Sequence, residues 1–477
     1  MTTHINFTNG SIISVDPKGE NYEITAGWRV QFSHVYKFCP TSHETLNFNM
    51  MDEISEEFPF RDANMIAQIL TAPSNPNSSA DPHWQESAKV LITATILHCL
   101  CSDYEDKSIP GVYKYLSQAS GDDKGDMKKN LLKNMINAKH CREDIHESIK
   151  SYAAQILSAA DEEMGSIYSS ALTALSIFND PILADSCRTS DFCLDDFKYS
   201  EAPISLYLTV PFPDLDRVKS LLKLIIEFVC RKFSQDMTSY GKEGLKHRIL
   251  FLIDEFPTLG KMETIEVFAG ILNGYGISFL WICQTKGQID KLYGQNAPIL
   301  DHCRFIVIYN MSEHNAAEYF SNRAGEEGII KQNMSSSGSR FDYGMNNMSI
   351  SSDITTRRLI TANEIENLPP EYELIFTQGA PTVLAKKVAY YSDPRFMDKV
   401  NLKKPETRAE MLKETYLSRV KRPGDSRWND VEVDLDYENY DDNFDLNEII
   451  KNKDVTEGRE AEDFNGISEG EKEAINT

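Results

Sequence analysis

The sequence predicts an α/β protein built on a mostly parallel sheet, on three observations. Short apolar runs alternate with helical segments across residues 204–309, the order expected of consecutive βαβ units. One of these runs, Ile249-Leu-Phe-Leu-Ile253, is apolar throughout and stops at Asp254-Glu255-Phe256-Pro257, as suits a strand covered on both faces. The chain has 477 residues, 41% hydrophobic and 26% charged, an ordinary soluble composition with length for two or three domains. Open parallel sheets bind ligands at the carboxyl ends of their strands. Asp254 and Glu255 are therefore candidate site residues.

Taken in order, residues 11–16 read as a buried strand running into a Pro17-Lys18-Gly19-Glu20 turn, and 35–38 as a second strand stopped by Cys39-Pro40. Residues 61–72 and 84–101 carry apolar residues at helical spacing, with a Ser-, Asn- and Pro-rich loop between them at 73–82. From 103 to 200 the signals are wholly helical and polar, an α-helical insertion between strands. The sheet resumes at 204–210, and Asp214 is the expected N-cap of a helix reaching Phe233. After the 249–253 strand come a helix over about 261–272, a turn at Gly274-Tyr275-Gly276, a strand 277–283 ending on Gln284, and a strand 304–309. Residues 333–352, heavy in Ser, Asn, Met and Gly, read as a mobile loop. Thr361 and Glu364 suit a capping box, and two last strands lie near 373–377 and 382–391. The domain plan is a sheet domain in two parts, 1–102 and 201–400, interrupted by an all-α domain at 103–200. A helical extension at 401–422 and a disordered acidic tail at 423–477 follow.

The formal net charge of −24 is unevenly placed: from Pro423 onward 18 acidic residues face 5 basic ones, −13 of the total. That sign argues against a protein that coats DNA electrostatically, but does not exclude a small basic channel inside an assembly. The nine cysteines include no Cys-x-x-Cys, and His98, Cys99 and Cys101 have no second ligand pair, so reduced core thiols are expected rather than zinc. With no 18-residue apolar run and no basic start followed by an apolar stretch, neither a transmembrane helix nor a signal peptide is expected. A cytosolic location fits.

The run that ends in Asp254-Glu255 has the pattern of a Walker B strand. An aspartate there holds the water shell of a nucleotide-bound Mg²⁺, a cation that keeps several waters and takes few protein carboxylates. A glutamate beside it can deprotonate the water that attacks the γ-phosphate. The same residues also suit a core strand ending in a solvated acidic turn. Gln284, at the carboxyl end of the next strand, can contact both the attacking water and the γ-phosphate. Asp16, Lys18 and Gly19 occupy the same sheet edge, though Asp-Pro-Lys-Gly is equally a good β-turn. Arg304 and Arg357 are candidates for charge supplied to a neighbour's phosphate. A Gly-x-x-x-x-Gly-Lys-Ser/Thr phosphate cradle occurs nowhere in the sequence; Gly241-Lys242 and Gly260-Lys261 lack the upstream glycine and the following Ser or Thr.

Across about 11–400 the chain resembles the coupling-protein ATPases of conjugative and type IV secretion systems (the TraG/TraD family). The residues that carry the likeness begin with Val15-Asp-Pro-Lys-Gly-Glu20, Thr25, Arg29, Trp84-x-x-x-Ala88 and Ser205-Leu-Tyr-Leu-Thr-Val-Pro211. They continue through Leu252-Ile-Asp-Glu-Phe-Pro-Thr-Leu-Gly260, Gly274-Tyr-Gly-Ile277, Gln284-x-x-x-Gln288, Tyr293-Gly294, Arg357-Arg-Leu-Ile-Thr361, Glu364 and Leu368-Pro369. The resemblance implies a RecA-like P-loop NTPase fold with an inserted all-α domain. It implies ATP and Mg²⁺ as cofactors, with Asp254 holding the metal through water, Glu255 activating water and Gln284 sensing the γ-phosphate. It further implies a homo-oligomeric ring, a hexamer, at the cytoplasmic face of the bacterial inner membrane. Such a ring feeds relaxase-bound DNA, or secreted proteins, to the channel. Members usually begin with membrane helices and a Walker A segment; this sequence starts just past both, so the 477 residues by themselves read as soluble. A non-catalytic adaptor that only recruits substrates, and a DNA pump of the chromosome-segregation type, are the alternatives.

Overall fold

The structure, a computed structural model, describes residues 1–72, 82–119, 126–235, 246–295, 298–337 and 347–413. These residues divide into two compact units, 1–48 with 190–413, and 49–189. The first holds a sheet of five parallel strands: β1 (Gly10–Val15), β2 (His34–Phe38), β3 (Ile204–Leu208), β4 (Arg248–Ile253) and β5 (Ile277–Trp281). Their order is β2-β3-β1-β4-β5. Every residue of β1 and β3 is buried, which explains why these central strands show no polar alternation. Helix α1 (Thr2–Asn6) and helix α2 (Glu20–Arg29) flank β1 in sequence.

Arg29 fastens this beginning together. Fully buried, it donates to the carbonyls of His4 (3.0 Å), Phe7 (2.6 Å) and Gly10 (3.1 Å), and to the Ser205 hydroxyl on β3. Thr25, one turn earlier, bonds the Tyr207 hydroxyl at 2.8 Å. Gly10 is required by close approach, since a Cβ there would meet the Arg248 carbonyl of β4 at 2.7 Å.

The second unit contains α3 (Pro59–Thr71), α4 (Pro82–Cys101), α5 (Ile109–Ser117), α6 (Asp126–Asn137), α7 (Glu143–Leu157), α8 (Asp161–Ala174) and α9 (Pro181–Ser186). Helix α4 is its centre, packed by α3, α5, α7 and α8 and buried all round from Leu91 to Cys101. Here the structure departs from the expected plan: the helical unit spans 49–189, not 103–200. Helical spacing shows that α3 and α4 are helices, but not which core they enter. That is decided by the burial of α4 on every side, a feature of the centre of a helical bundle.

The chain returns to the sheet unit with α10 (Asp196–Tyr199), α11 (Phe212–Phe233), α12 (Glu263–Leu272) and α13 (Lys286–Tyr293). Helix α11 starts before Asp214, with Pro211 at the cap and Pro213 in the first turn, so Asp214 is a first-turn acid pairing Arg217 at 3.4 Å. Beyond β5 the strands are β6 (Phe305–Ile308), β7 (Glu326–Ser337), β8 (Asn347–Arg358), β9 (Tyr372–Thr377) and β10 (Ala380–Lys386). They do not extend the parallel sheet: β10-β9-β6 form an antiparallel sheet and β7-β8 an antiparallel ribbon. The expected loop at 333–352 is therefore strand at 333–337 and 347–352; its sequence lacks the apolar alternation by which a strand is recognised. Helices α14 (His314–Ala324) and α15 (Ala362–Glu366) pack on the small sheet, burying Ile308, Phe320, Ile365, Leu374 and Phe376 together. Thr361 and Glu364 form the expected capping box of α15.

Helices α16 (Pro394–Met397) and α17 (Arg408–Lys413) end the described chain. Helix α17 closes the β2 edge: the Lys37 N–H donates to Met411 Sδ at 3.3 Å, and Arg408 grips Asp191 through two bonds of 2.7 and 2.6 Å. The outer edge of β5 has no partner strand among the described residues. The tail expected at 423–477, residues 414–422 of the helical extension and nearly all of the 73–82 loop lie outside the described residues. Among those described, no helix is long and apolar enough to cross a membrane.

Candidate functional site

Three neighbouring strands of the parallel sheet deliver the candidate residues to one edge. Register pairs Val15 with Ile253 and Ile253 with Trp281, so β1, β4 and β5 end level. The ladder runs on into the loops: Asp254 N–H donates to the Val15 carbonyl at 3.2 Å, and Phe256 N–H to the Ile282 carbonyl at 2.8 Å. Asp16, Asp254, Glu255 and Gln284 emerge within a residue or two of these last bonds.

Glu255 has φ 56 and ψ 50, one of two non-glycine residues in the left-handed region among those described. Backbone of this kind costs about 1–2 kcal/mol for a residue with a Cβ. What holds it is the next residue. Phe256 is driven into the core, stacked on Trp281 and Tyr293 at centroid distances of 5.4 and 5.9 Å. The Glu255 carbonyl is tied down by the Thr258 N–H and hydroxyl at 2.9 and 2.7 Å. With Phe256 inward, the Glu255 side chain faces outward, where Gln284 Nε2 donates to its Oε1 at 2.6 Å. Gln288, four residues on, receives the N–H groups of Gln284 (3.2 Å) and Thr285 (3.3 Å) on one amide oxygen. Together with the Thr285 hydroxyl it forms the capping box that starts α13. The Gln-x-x-x-Gln spacing thus has a mechanical meaning: the second glutamine sets the backbone of the first.

Asp16 is completely buried and accepts from the Tyr22 N–H at 2.9 Å and Asn21 Nδ2 at 3.4 Å, capping the first turn of α2. Its carbonyl accepts the Gly19 N–H at 3.0 Å, and Gly19 sits at φ 72, so the Asp-Pro-Lys-Gly β-turn forms as well. Burial pushes the Asp16 carboxyl up to about 6, reinforced by the charge of Asp254 and opposed by the Tyr22 and Asn21 bonds. Burial also raises Asp254, with Glu255 adding to it and with Lys18 and the Met1 ammonium opposing. Two carboxyls held above their ordinary range, with a third carboxylate beside them, make an acidic, partly dehydrated cluster. A hydrated divalent cation would relieve it.

Arg304 and Arg357 are not brought to this cluster by their described contacts. Arg304 lies over the Phe305 ring at 5.8 Å, and Arg357 pairs with Glu364 at 3.0 Å. Sequence reasoning missed Gln288 as a positioning residue; the capping-box spacing Thr285-x-x-Gln288 was the signal that could have found it. Elsewhere, in the helical unit, His98, His140 and His146 form a chain of ring nitrogens at 3.0 and 2.9 Å. Among the described residues no group of three or more His, Cys, Asp or Glu is arranged to hold a metal ion.

The family described as type IV secretory system conjugative DNA transfer matches residues 1–413. Among curated proteins, a conjugal transfer protein TraG of Escherichia coli is 28% identical over 422 residues, 83% of this chain and 65% of that protein. A second Escherichia coli TraG is 25% identical, covering 86% and 68%, and protein VirD4 of Rhizobium radiobacter 26%, covering 80% and 54%. The chain thus spans between about half and two thirds of the length of these relatives. Among solved structures, the unbound bacterial conjugative coupling protein TrwBΔN70 superposes with a TM-score of 0.60 at 17% identity over 81% of each chain. TrwB in complex with ADP and Mg²⁺ gives 0.58 at 16% identity, again over 81% of each chain. These likenesses establish a shared fold.

Proposed function

Because the chain belongs to the type IV secretory system conjugative DNA transfer family, we propose that it is the motor portion of a coupling protein. In this reading it uses ATP hydrolysis to pass DNA with its relaxase, or secreted proteins, to the secretion channel. The observation that carries the reading is the 2.6 Å bond from Gln284 to Glu255, on adjacent strands, with Asp254 alongside. A base and a phosphate-sensing amide in direct contact are the parts that γ-phosphate hydrolysis needs. The donor set, all oxygen and partly dehydrated, fits a hydrated Mg²⁺. Mg-ATP supplies the bond that is broken and the cation charge. Asp254 holds the metal's water shell. Glu255 takes the proton of the attacking water, and Gln284 leaves Glu255 for the phosphate, reporting its presence to α13. Asp16, Lys18 and Gly19 border the same pocket. Arg304 and Arg357 act on the phosphate of a neighbouring subunit in a hexameric ring. That ring stands at the cytoplasmic face of the inner membrane, and the helical unit and acidic tail choose the cargo.

The test is nucleotide affinity and phosphate release across a magnesium series. The 477 residues alone should bind Mg-ATP weakly and release no phosphate, since affinity comes mainly from a backbone cradle. Where a phosphate cradle is supplied to the chain, Glu255→Gln should keep nucleotide affinity while hydrolysis falls by roughly 10²–10⁴-fold. Asp254→Asn should be partly rescued by added Mg²⁺. If Glu255→Gln abolishes binding, or magnesium rescues it and not Asp254→Asn, the roles are wrongly assigned.

A further inference from the structure

The helical unit brings two of its thiols together. Cys101 is the last residue of α4, and Cys141 stands just ahead of α7, 40 residues later. The Cys141 N–H donates to the Cys101 carbonyl at 2.8 Å, and the Cys101 thiol donates to the Cys141 sulfur. Residues joined by a backbone bond of this kind hold their Cα atoms about 5–6 Å apart, the separation that a disulfide spans.

The two sulfurs differ in access and in charge. Cys101 is 1% exposed, whereas Cys141 is half-buried. The bond from Cys101 lowers the Cys141 thiol, and Lys107 and Arg142 lower it further while burial opposes them. Cys101, the donor of that bond and buried, is held far above the ordinary thiol range. By contrast Cys283, the exposed cysteine among those described, has its thiol shifted up by desolvation. The neighbouring imidazoles do not supply the charge. Burial lowers His98 to about 4 and His140 to about 3, so both are neutral at pH 7. With His146 their ring nitrogens bond in a line rather than converge on a point. The cluster is therefore built as a thiol pair, not as a zinc site.

We propose that Cys101 and Cys141 form a reversible oxidation site, in which a hydroperoxide oxidises Cys141 and Cys101 resolves the product as a disulfide. Cys141 loses its proton to solvent, and its thiolate attacks one peroxide oxygen. The O–O bond breaks, the leaving alkoxide (hydroxide, for hydrogen peroxide) takes up a proton, and Cys141 becomes a sulfenic acid. The Cys101 sulfur then attacks the Cys141 sulfur. The S–S bond forms, the S–O bond breaks, and hydroxide leaves with the Cys101 proton as water. Two thiols and one hydroperoxide thus give one disulfide, one alcohol and one water, and a dithiol reverses the link. The link ties the central helix α4 to the start of α7 inside one compact unit. Leu97 of α4 and Arg142, Asp144, Ile145 and Ser148 line a cleft of about 290 Å³, so oxidation joins two of its walls.

The test treats the reduced 477-residue chain with hydrogen peroxide at pH 7 and follows each cysteine by alkylation and peptide mass mapping. A Cys101–Cys141 link, lighter by two hydrogens and reversed by dithiothreitol, should form. Cys141 should oxidise roughly tenfold faster than Cys283, although exposure alone would favour Cys283. In Cys101→Ser, dimedone should trap the sulfenic acid at Cys141. In Cys141→Ser, Cys101 should stay reduced. The linked chain should melt roughly 5 °C or more above the reduced one, as a loop closed without strain requires. No link, Cys283 oxidised first, or Cys101 trapped in the absence of Cys141 would each overturn the proposal. A linked chain that melts lower would overturn it too, since the pair would then not be preset for the bond. The link, the rate comparison and the melting shift are all read on the unaltered chain, so a variant that fails to fold does not shield the proposal.

Discussion

At the scale of single residues, the site brings together carboxyls where burial opposes their charge. Asp16 shows the consequence for stability. Its folded value of about 6 stands above the ordinary carboxyl value of 3.8, so between these limits the folded chain holds a proton that the unfolded chain has released. The contribution of this group is therefore fully favourable below about pH 4 and is lost as pH rises through about 6. Asp16→Asn, which keeps the cap geometry without the charge, should stabilise the chain by about 1–3 kcal/mol at pH 7.5 and by much less at pH 4.5. Urea unfolding at the two pH values checks this; equal effects at both would remove Asp16 from the buried acidic cluster. The identity of these residues was legible in the sequence, because an apolar run ending in acids is visible as letters. What was not legible is that Asp16 does two jobs, turn and helix cap, since its bond to Tyr22 spans a turn whose shape only the fold defines. The left-handed backbone of Glu255 was equally hidden, being imposed by Phe256 and its aromatic stack.

At the scale of elements, local chemistry was read well and allegiance poorly. Strands β1, β3, β4 and β5 and the cap of α15 follow from apolar runs and a Thr-x-x-Glu spacing. The assignment of α3 and α4 to the helical unit does not, because their spacing is the same whichever core they enter. Strand β6 also looked like one more parallel strand until its partner, β9, was known to lie some seventy residues on. Arg29 is the element-scale device with the largest expected effect. Its guanidinium serves three carbonyls and a hydroxyl. Arg29→Met should cost roughly 3–5 kcal/mol, because it leaves several buried acceptors unpaired at once. Arg29→Lys should cost less. Denaturant unfolding, with proteolysis of residues 1–10 as a local readout, measures both. A loss below about 1 kcal/mol in Arg29→Met would show that these carbonyls find other donors.

At the scale of the whole molecule, two compact units are built from one chain, and the unit with the parallel sheet is guarded on the β2 flank and has no partner strand on the β5 flank among the described residues. That asymmetry governs how the material behaves in a tube. An unblunted strand is adhesive toward any other unblunted strand, including its own copy. Concentrated stocks of the 477 residues should drift toward higher mass over time, without nucleotide and without magnesium, as followed by light scattering. Leu280→Lys, a change at an exposed side chain, should slow that drift while leaving the melting temperature within about 2 °C. Unchanged drift in this variant would place the adhesive surface elsewhere. Particles formed by such drift are products of stickiness. Mass alone does not separate them from the proposed ring; sensitivity to Leu280→Lys does.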